Sequence, residues 1–241
     1  MKLQVPSLKQ QKYGWLLASF FVVFLVLPFT HEHPVLANAA VSALLIGALS
    51  AVSTRRGVLL AALALLAPSL VGKWAGNLTD LPAWMEAASA ACQGLFLLHI
   101  TLWLCKDVFL SESVTRDRLR GSVCVYLLLG MIWASGYQIL ESLEPGSFVD
   151  SRRASSVSFE AGGLIYFSYV TLSTVGYGDI TPTVPSARFF AALEALTGQV
   201  YLAIMVARLM GLYLASSIAQ RAAPKAEREP DPAGEPEVEA E

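Results

Sequence analysis

The sequence has little charge. Only 15% of its 241 residues are Asp, Glu, Lys or Arg, against 55% hydrophobic residues. A water-soluble domain of ordinary composition carries about 25% charged residues. The charges are also sparse in six windows, residues 14–29, 35–53, 57–72, 84–105, 123–140 and 187–214, which hold only Glu86, Arg188, Glu194 and Arg208 among them. Each window approaches the ~20 residues that cross ~30 Å of hydrocarbon. The pattern excludes a soluble globular domain and predicts an all-α integral membrane protein with six transmembrane helices. Window 57–72 is short and holds Pro68, so it is the one expected to be kinked or distorted.

Other absences narrow the function. The chain has three cysteines, Cys92, Cys105 and Cys124, all within or at the ends of apolar windows. They read as small buried apolar residues, without a disulfide framework. No Ser/His/Asp, metal-ligand or phosphate-loop spacing exceeds chance, so no enzyme, organic cofactor or nucleic-acid partner is expected. The fourth window lacks arginine and lysine altogether. A charge moving in the membrane field does about 2.3 kcal/mol of work per 100 mV, and without such charges steep voltage sensing is not expected.

The polar residues that do enter the apolar windows are few. Gln93 and His99 lie in the fourth window and read as interhelical hydrogen-bonding groups, ahead of a proton or ligand sensor. His31-Glu32-His33 reads as an exposed polar loop, ahead of a metal site. Ala37-Asn38-Ala39 has the small-x-small form of a signal-peptidase site. Cleavage there would shorten the second span, so an intact first span is expected. Glu194 and Arg208 fall on the far side of the last helix from the stripe Leu202, Val206, Met210 and Leu214.

Basic residues set the orientation. Lys2, Lys9 and Lys12 precede the first span; Arg55 and Arg56 follow the second. Lys106, Arg116, Arg118 and Arg120 lie between the fourth and fifth; Arg221, Lys225 and Arg228 follow the sixth. The opposite loops hold only Lys73, Arg152, Arg153 and Arg188. Both termini are therefore expected in the cytoplasm, with the protein in the cell (inner or plasma) membrane. Three units are expected: a four-span membrane domain over 1–110, a two-helix unit over 111–220, and a disordered acidic tail over 221–241. The tail is rich in Pro, Ala and Glu, too polar to offset the entropy of ordering.

Between the last two spans stands Thr174-Val175-Gly176-Tyr177-Gly178-Asp179. Adjacent residues of an ordinary strand point in opposite directions, and glycines at alternate positions tolerate the positive φ that turns carbonyls to one side. Before it, residues 158–172 read as a short helix with Ser158 as N-cap. After it, residues 180–185 hold two prolines and read as a turn. The order is span, outer loop, short helix, glycine loop, span.

This order and hexapeptide resemble the pore module of the tetrameric potassium channels. The resemblance covers about residues 121–214 and implies a re-entrant pore helix and selectivity-filter loop between the last two spans. It implies K+ held at Thr174, Val175, Gly176 and Tyr177 within a filter running to Gly178. It implies support by Asp179, which Tyr166 can reach from the position where many relatives have tryptophan. Val170 stands where some prokaryotic members carry a buried glutamate. Gly198 falls where many members place a hinge glycine, although a small residue for close helix packing suits it equally. Gln199, Leu202, Val206, Met210 and Leu214 are the gate and cavity candidates; lipid-phase packing of that stripe against 123–140 is the other reading.

Unlike the six-span voltage-gated channels, the fourth span has no arginine series. The resemblance implies a potassium-selective channel in the lipid bilayer, passing K+ through a homotetramer, since one filter segment cannot form a ring. It also implies a pore-helix dipole whose negative end favours a cation. The alternatives are a non-selective cation channel, a non-conducting regulatory subunit, and an uptake subunit, whose four degenerate loops in one chain this sequence lacks.

Overall fold

A computed structural model describes residues 12–29, 34–50, 56–109, 116–151 and 161–222. The described chain is mostly helical. Helix α1 spans Lys12–Val26 and ends in a 3-10 turn, Leu27–Phe29; α2 spans Pro34–Ser50, α3 Arg56–Ala75, α4 Ala83–Phe109 and α5 Arg116–Leu143. Strand β1 is Phe148–Asp150, α6 is Ala161–Leu172, β2 is Ile180–Pro182 and α7 is Pro185–Ala222. Helices α2 and α7 begin on proline, where the missing N–H costs no intrahelical bond and the fixed φ suits the first turn.

Four helices are long and apolar enough to cross a membrane: Arg56–Ala75, Ala83–Phe109, Asp117–Leu143 and Pro185–Gly211. Helices α1 and α2 are shorter, at 15 and 17 residues. The expectation of a short span at 57–72 needs correction: helix α3 runs 20 residues, Arg56–Ala75, with Pro68 inside it, and is one of the four that meet the length. One residue past Pro68, Ser89 of α4 donates to the Ser69 carbonyl at 3.1 Å.

A second correction concerns residues 180–185. They are not simply a turn, because Ile180–Pro182 forms a short antiparallel strand with Phe148–Asp150. Pro182 sits at its last position, opposite Phe148, where a missing donor is tolerated. Ser158, Arg152, Arg153 and the His31-Glu32-His33 loop lie outside the described residues, as does the tail beyond Ala222.

The main core joins α1, α2, α4 and α5 through Leu16, Phe20, Leu44, Phe96, Ile100, Leu128 and their neighbours, and it takes in Ile165 of α6. It therefore crosses the expected boundary at residue 110. A second cluster, Tyr137, Phe148, Leu164, Phe167, Ile180 and Ala187, lies among α5, α6, α7 and the two strands. Three of its rings, Tyr137, Phe148 and Phe167, meet edge to face at centroid distances of 5.1–5.2 Å, a favoured aromatic geometry.

Candidate pore segment

Helix α6 lies against α5 and α7. Its contacts with α5 are close because Gly130 has no side chain; a Cβ there would meet the Tyr169 ring at 2.5 Å. Hydroxyls fill the remaining polar needs. Ser168 donates to the Gly130 carbonyl at 2.6 Å, Tyr169 to Leu127 at 2.7 Å and Tyr201 of α7 to Ser122 at 2.7 Å. Three α5 carbonyls thus receive side-chain donors along one face, the kind of interhelical bond that apolar surroundings favour.

The segment after α6 leaves helical geometry at once. Val175 N–H returns to the Val170 carbonyl at 3.0 Å, and Gly176 N–H reaches the same carbonyl at 3.4 Å. Thr174, Gly176 and Gly178 have φ of 58°, 59° and 76°. Every second residue is thus left-handed, and a strand whose hand alternates can turn successive carbonyls to one side. Glycine meets this conformation without steric cost. Thr174 does not, since a β-branched residue at positive φ is an outlier that its surroundings must hold in place. Part of that hold is visible: Gln199 of α7 donates to the Thr174 hydroxyl at 3.2 Å.

The C-terminal end of the segment is pinned by Asp179. Tyr166 donates to its Oδ2 at 2.9 Å, and Ile180 N–H donates to its Oδ1 at 3.0 Å. Ser151 donates to its carbonyl through backbone (2.8 Å) and side chain (3.1 Å). The loop that carries β1 is held in turn by Glu141 at the end of α5, whose carboxylate accepts from Gly146 N–H at 2.9 Å and Phe148 N–H at 3.2 Å.

The front of the segment is bare. All of Thr174 to Gly178 is exposed, Val175 by 51% and Tyr177 by 72%. The residues expected at a gate divide into two groups. Gly198 is buried against α6, and a Cβ there would lie 2.1 Å from the Leu172 carbonyl oxygen. Leu202, Val206, Met210 and Leu214 are exposed on the protomer surface, so the stripe does not pack against 123–140. Tyr201 and Arg208 are what α7 turns towards its neighbours. Tyr201 faces the Tyr126 ring, centroids 5.8 Å apart, and the Arg208 guanidinium lies 5.0 Å over the Phe109 ring of α4.

Two polar residues of α4 behave differently from each other. Gln93 donates to Ser135 of α5 at 3.1 Å, which is the expected interhelical bond. Its Oε1 and His99 Nε2 are buried without a partner among the described residues. No cluster of three metal-ligating side chains occurs among the described residues. Glu194, Ser168, Tyr137 and Glu141 carry polar contacts that the sequence reading did not foresee. A glutamate inside the apolar window 187–214 was the available signal, because an ionisable group there is costly unless paired.

Comparison with known proteins bears on the same stretch of chain. Residues 122–214 match the family model described as an ion channel. The chain is 34% identical over 89 residues to two pore potassium channel c from Oryza sativa subsp. japonica, covering 37% of this chain and 19% of that protein. It is 32% identical over 84 residues to an inward rectifier potassium channel from Paramagnetospirillum magnetotacticum, covering 33% of this chain and 24% of that one. The chain thus spans about a fifth to a quarter of the length of these curated relatives. No solved structure matches it. Apolar helices of membrane-spanning length, the ion-channel match and the potassium-channel relatives together mark a membrane protein of ion transport.

Proposed function

We propose that the protein is a potassium-selective channel in which four copies surround one axis and their Thr174–Gly178 segments line the path. The observation that carries this is the alternating left-handed backbone at 174, 176 and 178, held from behind and bare in front. Such a surface suits completion by further copies, with backbone carbonyls replacing the water around K+.

In this reading the chain crosses the membrane six times, α1 and α2 included, with both termini cytoplasmic. Helix α6 enters and returns as a re-entrant pore helix. Its C-terminal carbonyls point partial negative charge towards the ion path. The exposed stripe Leu202, Val206, Met210 and Leu214 faces the inner part of that path, where a ring of four apolar side chains can close it by dewetting. The absence of basic residues from α4 before Lys106 argues against steep voltage sensing. Purified protein in a planar bilayer with K+ on one side and Na+ on the other should reverse near the K+ equilibrium potential. Reversal that follows Na+ would overturn the proposal.

A second reading rests on Thr174. It is the one non-glycine residue at positive φ among those described, and it stands at the inner end of the segment. If that strain relaxes in the assembled pore, a cation channel of lower selectivity results. The same recording separates the two by its K+/Na+ permeability ratio.

A further inference from the structure

Glu194 is fully buried within the protomer, on the side of α7 away from the exposed stripe. Its carboxyl group reaches all three helices of the pore unit. Ser168 of α6 lies 2.5 Å from Oε1, and Tyr137 of α5 donates to Oε2 at 2.5 Å. Ser168 and Tyr137 are fully buried too, so water does not share these contacts.

Counting protons fixes the state of the group. Tyr137 has one hydroxyl proton and it goes to Oε2. Ser168 also has one, yet its Oγ stands 2.6 Å from the Gly130 carbonyl and 2.5 Å from Glu194 Oε1. A carbonyl can only accept. Both Ser168 contacts become hydrogen bonds only when Glu194 carries a proton on Oε1, donates it to Ser168 Oγ, and Ser168 donates onward to Gly130. With an ionised carboxylate, one pair of oxygens would face each other lone pair to lone pair. The other ionisable groups around it are Tyr126 and Tyr137 of α5 and Tyr169 of α6, all neutral phenols. No cationic side chain hydrogen-bonds Glu194 among the described residues, and an unpaired charge buried among apolar helices is costly.

We infer that Glu194 is a protonated carboxylic acid that ties the pore helix to the helices on either side of it and thereby holds the filter in its conducting shape. The inference rests on the reading of 174–178 as a potassium path. Among the described residues Glu194 hydrogen-bonds only Ser168 and Tyr137 and none of 174–178, so it is a positioning residue acting through α6. The lever is short. Ser168 lies two residues before Val170, whose carbonyl accepts from both Val175 and Gly176. A shift or rotation of α6 at Ser168 therefore moves the acceptor that sets the first filter residues.

The test compares wild type, Glu194→Gln, Glu194→Ala and Ser168→Ala, each purified from the membrane as an assembled oligomer. Glutamine offers a donor and an acceptor at the same two places, so its K+/Na+ permeability ratio should stay within about twofold of wild type. Alanine removes both, and the ratio should fall about tenfold with shortened openings, the lower end of what two lost buried hydrogen bonds are expected to give. Ser168→Ala should move the same way by less. The infrared spectrum of wild type should contain the C=O stretch of a protonated carboxyl that Glu194→Gln removes.

Wild-type selectivity and open times in Glu194→Ala, or equal damage from glutamine and alanine, would overturn the positioning role. Absence of the carboxyl band would overturn the proton. If Glu194→Ala fails to assemble, Ser168→Ala and the infrared band decide. If wild type passes no K+, the channel reading falls, and the band still judges the protonated bridge.

Discussion

The segment Thr174–Gly178 has two unlike sides. Behind it, nearly every polar group has a partner: Ser168, Tyr169 and Tyr201 donate to α5 carbonyls, Tyr166 and Ile180 hold Asp179, and Glu194 joins three helices. In front, Val175 and Tyr177 stand open, and the backbone alternates its hand with no neighbour against it. The contrast teaches that the chain holds the segment from one side only. Shape is imposed from the back, and the front is left open.

The sharpest way to break this comparison is at the bare side. Gly176→Ala or Gly178→Ala puts a Cβ where φ is 59° or 76°, costing about 1–2 kcal/mol per residue and repeated in every copy. Potassium flux into liposomes should drop to background, even though neither Cβ meets an atom of its own protomer within 4 Å. Retained flux would mean that the segment is not the path.

Next comes Gly198→Ala, which acts from behind. Its Cβ would lie 2.1 Å from the Leu172 carbonyl oxygen, so α6 or α7 must move, at about 1–3 kcal/mol. Close packing predicts a lower melting temperature for the detergent-purified protein together with reduced selectivity. A hinge predicts slower gating with selectivity intact. Bilayer recordings beside thermal unfolding separate the two.

A smaller effect is expected from Tyr166→Phe, which removes the 2.9 Å bond to Asp179 and keeps the ring. The loss is about 0.5–1.5 kcal/mol, read as briefer openings at unchanged single-channel current. The Ile180 and Ser151 contacts remain and limit the damage.

The smallest is Arg208→Ala. Its stacking on Phe109 is worth about 0.5–1 kcal/mol and lies far from the filter. Open probability should shift by a few-fold, with the permeability ratio unchanged. A change in selectivity would show that front and back are coupled along the whole of α7.

Much of this was legible in the sequence. Charge-poor windows announced apolar helices, because a span must satisfy its own backbone and present apolar side chains. The glycines at 176 and 178 announced positive φ, since few residues tolerate it. The pairing of Tyr166 with Asp179 came only through the resemblance to the potassium channels, since no local pattern brings the two side chains together. Window 57–72 misled in length only, because the helix extends past the apolar run to Arg56 at one end and through Lys73 to Ala75 at the other. Residues 180–182 also misled: their strand partner lies some thirty residues earlier at 148–150, and no local pattern reports it.

The sequence by itself determined that this chain is a membrane protein and which residues form the glycine loop, because hydropathy and positive φ are properties of single residues and short runs. Only the tertiary structure decided what stands behind that loop. Glu194 is one acidic residue in an apolar helix until α5 and α6 bring Tyr137 and Ser168 against it. Gly198 is one small residue until the Leu172 carbonyl arrives beside it. Both depend on how three helices approach, and that is set by packing over the whole length of each, not by any short run of residues.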